Sequence, residues 1–121
     1  MEPISYPYRV FQVWTYTVGM RRLLLRATKT ATFGTRIDIL FQNVHALKLP
    51  SHLNGLTVRL ATDDEEESLL LESGAPISGG GVVYVVEGTR YSGYVIAGPV
   101  TVHEDKSEYD EESALLRPLN G

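Results

Sequence analysis

Short runs rich in β-branched and aromatic residues follow one another along this chain, separated by glycine, proline and polar punctuation. They are Tyr8–Val18, Arg21–Thr28, Ile37–Phe41, Val44–Leu49, Gly55–Leu60, Val82–Glu87 and Tyr91–Glu104. Such side chains lose χ1 freedom in a helix and pack well on a pleated surface. Runs of this length broken by turn residues predict an antiparallel sheet of about seven to eight strands, rolled into a sandwich or half-barrel, in a mainly β or α+β domain.

Within the first run, Tyr8, Val10, Trp14, Tyr16 and Val18 share a parity and so one predicted face. Gly19 and Met20 make the turn to Arg21–Thr28, read as its hairpin partner, on which Arg21, Arg22 and Arg26 either surround an anionic ligand or act as gatekeepers of an edge strand. Lys29–Thr35 is a loop. Ile37, Ile39 and Phe41 predict a half-buried strand with Asp38 and Leu40 outward. A turn or bulge is placed at Gln42–Asn43. Val82–Val86 is continuously apolar, as expected of a strand buried on both faces, and Gly98–Pro99 breaks or bends the last long run.

One segment reads as helix, with a disordered acidic loop as the alternative. In Thr62–Ser73, Thr62 and Glu65 have capping-box spacing, and acids in the first turn oppose the positive end of the helix dipole. Leu69–Leu71 anchor the helix, and Gly74 with Pro76 ends it. Glu104–Glu112 opens an acidic C-terminal tail, 105–121, that Leu115, Leu116 and Leu119 can dock on the body of a single domain, 1–121.

The chain has 121 residues and no cysteine, so neither disulfides nor thiolate metal sites hold it together. A chain of this size buries roughly two thirds of its unfolded surface, enough for a core of its own. The N-terminus lacks a charged region leading into an apolar stretch, and no apolar run approaches the roughly 20 residues of a membrane span. The expectation is a cytoplasmic protein with no membrane partner. Charge is segregated: residues 1–61 carry eight basic and two acidic groups, residues 62–121 three basic and thirteen acidic, within a net charge of −4. Two arrangements fit this. The halves can fold against each other and compensate, or an acidic face can await a basic partner. A sequence pI near 5.3 argues against nucleic acid.

Chemistry is sparse. His45, His52 and His103 sit in separate segments without metal-ligand spacing. No G-x-S-x-G turn is present, the acid runs read as solvated faces, and DKSEYDEES lacks the glycine of a calcium loop. No catalytic residue, metal or cofactor is therefore expected, and the chain reads as more like a binder than an enzyme. Aromatic residues are the remaining candidates. Trp14 and Tyr16, with Arg22 and Arg26 on the next strand, form a candidate pocket for an anionic small ligand. Glu108, Tyr109, Asp110, Glu111 and Glu112 form a candidate contact for a basic protein. A hydrolase built on His45 or His103 is the third reading.

The segments VFQVWTYTVGMRRLLLRA, TRIDILFQNVHALKLPSHLNGL and SGYVIAGPVTVHEDKSEYDEES resemble a group of small uncharacterised bacterial proteins, a domain of unknown function. That group shares a V-x-x-Y-x-V…LLLR opening, a D-I-x-F-x-x-V-x-x-L-x-L-P middle and an acidic ending. The resemblance implies a β-rich fold and carries over no functional residue. In size and charge alone the chain also resembles immunity proteins that neutralise bacterial toxins. From these features the expected function is a non-enzymatic interaction module, in its most concrete form an immunity or inhibitor protein.

Overall fold

A computed structural model describes residues 1–75 and 81–116. Eight strands form one antiparallel sheet: β1 (Ile4–Thr17), β2 (Arg22–Ala27), β3 (Arg36–Phe41), β4 (Ala46–Lys48), β5 (His52–Leu60), β6 (Val82–Gly88), β7 (Tyr91–Ala97) and β8 (Val100–Asp105). Helix α1 (Asp63–Ser73) lies between β5 and β6, and a short 3-10 turn, Ala114–Leu116, follows β8. Among the described residues no helix is long and apolar enough to cross a membrane.

The hydrogen-bonded order is β4-β7-β6-β5-β1-β2-β3-β8, and its two ends are joined by the chain itself. β3 pairs with β8 from Arg36↔Asp105 to Phe41↔Val100, and β4 pairs with β7 from Ala46↔Ile96 to Lys48↔Tyr94. Between these ladders Gln42 N–H donates to the Pro99 carbonyl, Gly98 N–H to the Gln42 carbonyl and His45 N–H to the Ile96 carbonyl, at 3.0, 2.8 and 2.7 Å. The two ladders are thus one ladder that turns a corner. Five steps on one strand, Phe41 to Ala46, face four on the other, Val100 to Ile96, which marks a β-bulge; Asn43 takes the positive φ of 53° there. With β3–β4 and β7–β8 each read as one bent strand, the sheet closes on itself as a barrel and has no long unpaired edge at the seam.

The barrel interior is filled from every strand pair. Phe11, Leu23, Leu25, Ile37, Ile39, Phe41, Leu53, Leu56, Val58, Tyr84, Val86 and Val95 form one buried cluster. Phe41 and Tyr84 meet edge to face at 5.4 Å across the interior, and the Tyr84 hydroxyl donates to the Gly98 carbonyl at the corner, 2.8 Å. That keeps its polar atom satisfied where water is absent.

Two patches of the outer face are covered as well. α1 lays Leu69 and Leu70 over Val83, Tyr94 and Ile96, which is why β6 is apolar at consecutive positions. The helix begins as its sequence predicts: Thr62 Oγ1 accepts from Glu65 N–H and the Glu65 carboxylate from Thr62 N–H, and Gly74 closes it at φ 73°. Leu71 faces solvent, 72% exposed, so only two of the three expected leucines anchor it. Pro76 and Leu119 lie outside the described residues.

Three expectations are corrected. β2 is no edge strand: it is paired on one side with β1 and on the other with β3. β3 is not half-buried, because Asp38 and Leu40 on its outer face are as buried as Ile37 and Ile39; the C-terminal segment is bonded to Arg26 and Arg36, which enclose Asp38. The even positions of β1 do not share a face. A register shift between Val13 and Thr15 leaves Trp14 as the extra residue and sets Tyr16 opposite Leu23, and a second shift between Tyr6 and Val10 meets Gly55 on β5. There a Cβ would lie 3.0 Å from the Pro7 carbonyl and φ is 73°, so only glycine fits without strain.

Candidate interaction surface

β8 ends at Asp105, whose Oδ1 accepts the Ser107 N–H at 2.9 Å, a side-chain turn that reverses the chain. That hydrogen bond is the main reason the Asp105 carboxyl is held below its ordinary pKa. The chain then runs as a strap, residues 106–113, back over the outer face of β2 and β3.

Beneath the strap lie three buried charges. Arg26 grips Asp38 through two bonds, Nε to Oδ1 at 2.7 Å and Nη2 to Oδ2 at 3.2 Å. Arg36 approaches the same carboxylate, Nη2 to Oδ2 at 3.5 Å. The Trp14 ring lies over the Arg26 guanidinium, 4.9 Å from its carbon to the ring centre. Two cations around one carboxylate leave several N–H groups over, and buried donors must be satisfied. The strap's main chain satisfies them. Arg26 Nη1 donates to the Tyr109 carbonyl at 2.7 Å, and Arg36 Nη1 donates to the carbonyls of Glu108, 2.5 Å, and Glu111, 2.8 Å. At the rim Lys29 Nζ donates to the Lys106 carbonyl and to Glu108 Oε1, at 3.0 and 2.6 Å. Ser113 is buried and its hydroxyl accepts from Leu115 N–H, opening the final turn.

The strap is therefore fixed by its carbonyls, and its side chains from Glu108 to Glu112 are left outward. Tyr109 is 60% exposed; Asp110, Glu111 and Glu112 are exposed too. The 105–121 segment, expected as a tail, is over its described part an ordered layer of the fold. Its five candidate contact residues, Glu108 to Glu112, lie side by side on one short loop.

The other candidate set is divided. Trp14 and Arg26 are in contact, with Arg26 committed to Asp38 and the strap. Tyr16 and Arg22 lie farther along the hairpin, at register positions opposite Leu23 and Thr17. There is one sheet, so no pocket lies between sheets. A groove of about 390 Å³ lies elsewhere, between α1 and β7, lined by Asp64, Ser68, Leu69, Glu72 and Tyr94 among others.

The histidines remain apart. His52 Nε2 is 3.0 Å from the Gln12 amide nitrogen and His103 Nε2 is 3.0 Å from Asp105 Oδ2. His45 belongs to the corner between β3 and β4. Among the described residues no group of three or more His, Cys, Asp or Glu could hold a metal ion.

The charge segregation resolves at the same time. Arg9 reaches into the barrel end, donating to the carbonyls of Thr28 and Thr35 at 3.2 and 2.7 Å with Phe33 stacked on it. Arg59 clamps both Glu65 oxygens, 2.8 and 2.9 Å, and Glu87, 2.8 Å. Arg9, Arg26 and Arg36 are thus buried, and Arg59 is committed at the surface to acids of the second half. Asp63, Asp64, Glu66, Glu67, Asp110 and Glu112 form no ion pair among the described residues and stay exposed. The Arg26–Asp38–Arg36 network was not foreseen, although its signal is present: one charge in LLLRA and two of opposite sign in RIDILF, on strands that pair, mark a buried ionic contact. Compared with models of known families, with curated proteins and with solved structures, the chain matches none.

Proposed function

We propose that this chain is a non-enzymatic protein-interaction module acting in the bacterial cytoplasm, with an immunity or inhibitor role, and that its strap receives a basic protein partner. One observation carries the reading. Two buried arginines hold the strap by its backbone, so Tyr109 and the acids around it are presented by a loop already ordered. A loop ordered before binding loses less entropy on association, an exposed tyrosine is a common anchor, and a one-signed rim steers a partner of opposite sign.

The test is surface-plasmon kinetics on the partner captured from the native host, at low and high salt. Replacing Glu108, Asp110, Glu111 and Glu112 by their amides is expected to lower the on-rate and flatten its salt dependence. Tyr109→Ala is expected to raise the off-rate more than it lowers the on-rate. Unchanged kinetics in both variants would remove the strap from the interface.

A further inference from the structure

The β1–β2 hairpin is the part of the barrel the proposed function leaves unused. Val18 is 78%, Met20 57% and Tyr16 41% exposed. They stand at or beside a turn whose Gly19 has no other part of the chain within 4 Å of where a Cβ would lie. Arg21 and Arg22 follow immediately and have no ion-pair partner among the described residues, unlike Arg26, Arg36 and Arg59, which are paired with acids, and Arg9, which is buried on main-chain carbonyls. Arg21 takes a positive φ of 50° and its carbonyl accepts the Val44 N–H at 2.8 Å, which ties the base of the tip to the corner of the barrel.

The strap's acidic groups lie toward the other end. The strap leaves β8 at Asp105, opposite Arg36 at the start of β3, the end away from the tip. Arg26, which holds the strap, is four residues along β2 from Arg22, about 13 Å at the rise of a strand. That exceeds the screening length of about 8 Å at physiological ionic strength, so the strap's acids do not cancel the field of Arg21 and Arg22.

Against the expectation of no membrane partner, we propose that the hairpin tip is a docking element for an anionic phospholipid surface, with Val18 and Met20 entering the headgroup layer, Tyr16 at its border and Arg21 and Arg22 on lipid phosphates. A single hairpin tip presents too little area for a stable protein interface. Isolated aliphatic side chains flanked by arginine and tyrosine suit the boundary between headgroups and acyl chains. Like-charge repulsion turns the acidic end outward, which leaves the strap free to meet its partner.

The full chain is tested by co-sedimentation with vesicles of phosphatidylcholine alone and of phosphatidylcholine with one third phosphatidylserine. Binding to the second only, weakening as salt is added, is expected. Arg21→Gln with Arg22→Gln, and separately Val18→Ser with Met20→Ser, should each lower the bound fraction at least about tenfold while the circular dichroism stays that of the parent. Absence of wild-type binding to anionic vesicles, or equal binding by both variants, would overturn the proposal. So would a tip-dependent dimer in analytical ultracentrifugation without lipid, which would assign the tip to a second copy of the chain.

Discussion

The buried charges are the most consequential single residues. Asp38 is the carboxylate partner common to Arg26 and Arg36, and taking one member from a buried ionic group costs more than the group contributes, because it leaves charge uncompensated. Asp38→Asn is expected to destabilise the fold by about 3–5 kcal/mol, read as a lower urea midpoint at pH 7. A near-wild-type midpoint would show that water reaches the arginines. Glu65 behaves differently, being at the surface. Its pKa is lowered to about 2, first by the Arg59 hydrogen bond and then by the Thr62 N–H. A carboxyl lowered on folding contributes its stability above the unfolded-state pKa, about 4.3, and loses it as pH falls through the folded value. The melting-temperature gap between wild type and Glu65→Gln should therefore be full at neutral pH, shrink below about pH 4.5 and vanish near pH 2. A gap independent of pH would mean that the carboxylate charge has no part in the Arg59 clamp.

At the level of elements, α1 was the most legible part of the chain, since caps are local. Thr62, Glu65 and Gly74 announce the helix ends, and each does what its spacing requires. Thr62→Ala should cost about 1 kcal/mol. Leu69→Ala, on the face that covers Val83 and Ile96, should cost about 2 kcal/mol, whereas Leu71→Ser should stay within about 0.5 kcal/mol; chemical denaturation of the three variants compares them directly. The strands were legible as strands because residue type decides that, but their faces were not. A bulge inverts the parity of everything after it, and the extra residue at Trp14 depends on pairing with β2, which no local pattern encodes. In the same way Asp38 looked solvent-facing because alternation reports only one covered face, and the arginines that enclose it here are bonded to a strap some 70 residues later in sequence. The strap's own acidity concealed it. A run such as DKSEYDEES reads as solvated, and nothing in it shows that its carbonyls, common to every residue, are what the arginines use. The candidate site was thus found as a set of residues and missed as a structure.

For the whole molecule, the arrangement separates what holds the barrel from what it displays. Main-chain carbonyls of Glu108, Tyr109 and Glu111 satisfy buried arginines, while most of the side chains at the same positions meet solvent. Stability and interaction should accordingly respond to different changes in one loop. Neutralising Glu108, Asp110, Glu111 and Glu112 deletes no carbonyl; it removes the Lys29 pair, an exposed contact contributing about 0–1 kcal/mol, and relieves crowding of like charge in a chain of net charge −4. Its melting temperature should stay within a few degrees of wild type. Ending the chain after Asp105 deletes every carbonyl of the strap. Bonds from charged donors contribute about 1.5–3 kcal/mol each, and water reaching the freed guanidinium groups returns part of this, so a net loss of about 3 kcal/mol is expected. At about 4 °C per kcal/mol for a domain of this size, calorimetry should show a fall of about 12 °C. If instead the truncated barrel melts with wild type, the arginines are satisfied without the strap, and the loop owes its order to something other than the Arg26–Asp38–Arg36 network. That result would also remove the preorganisation on which binding through Tyr109 rests.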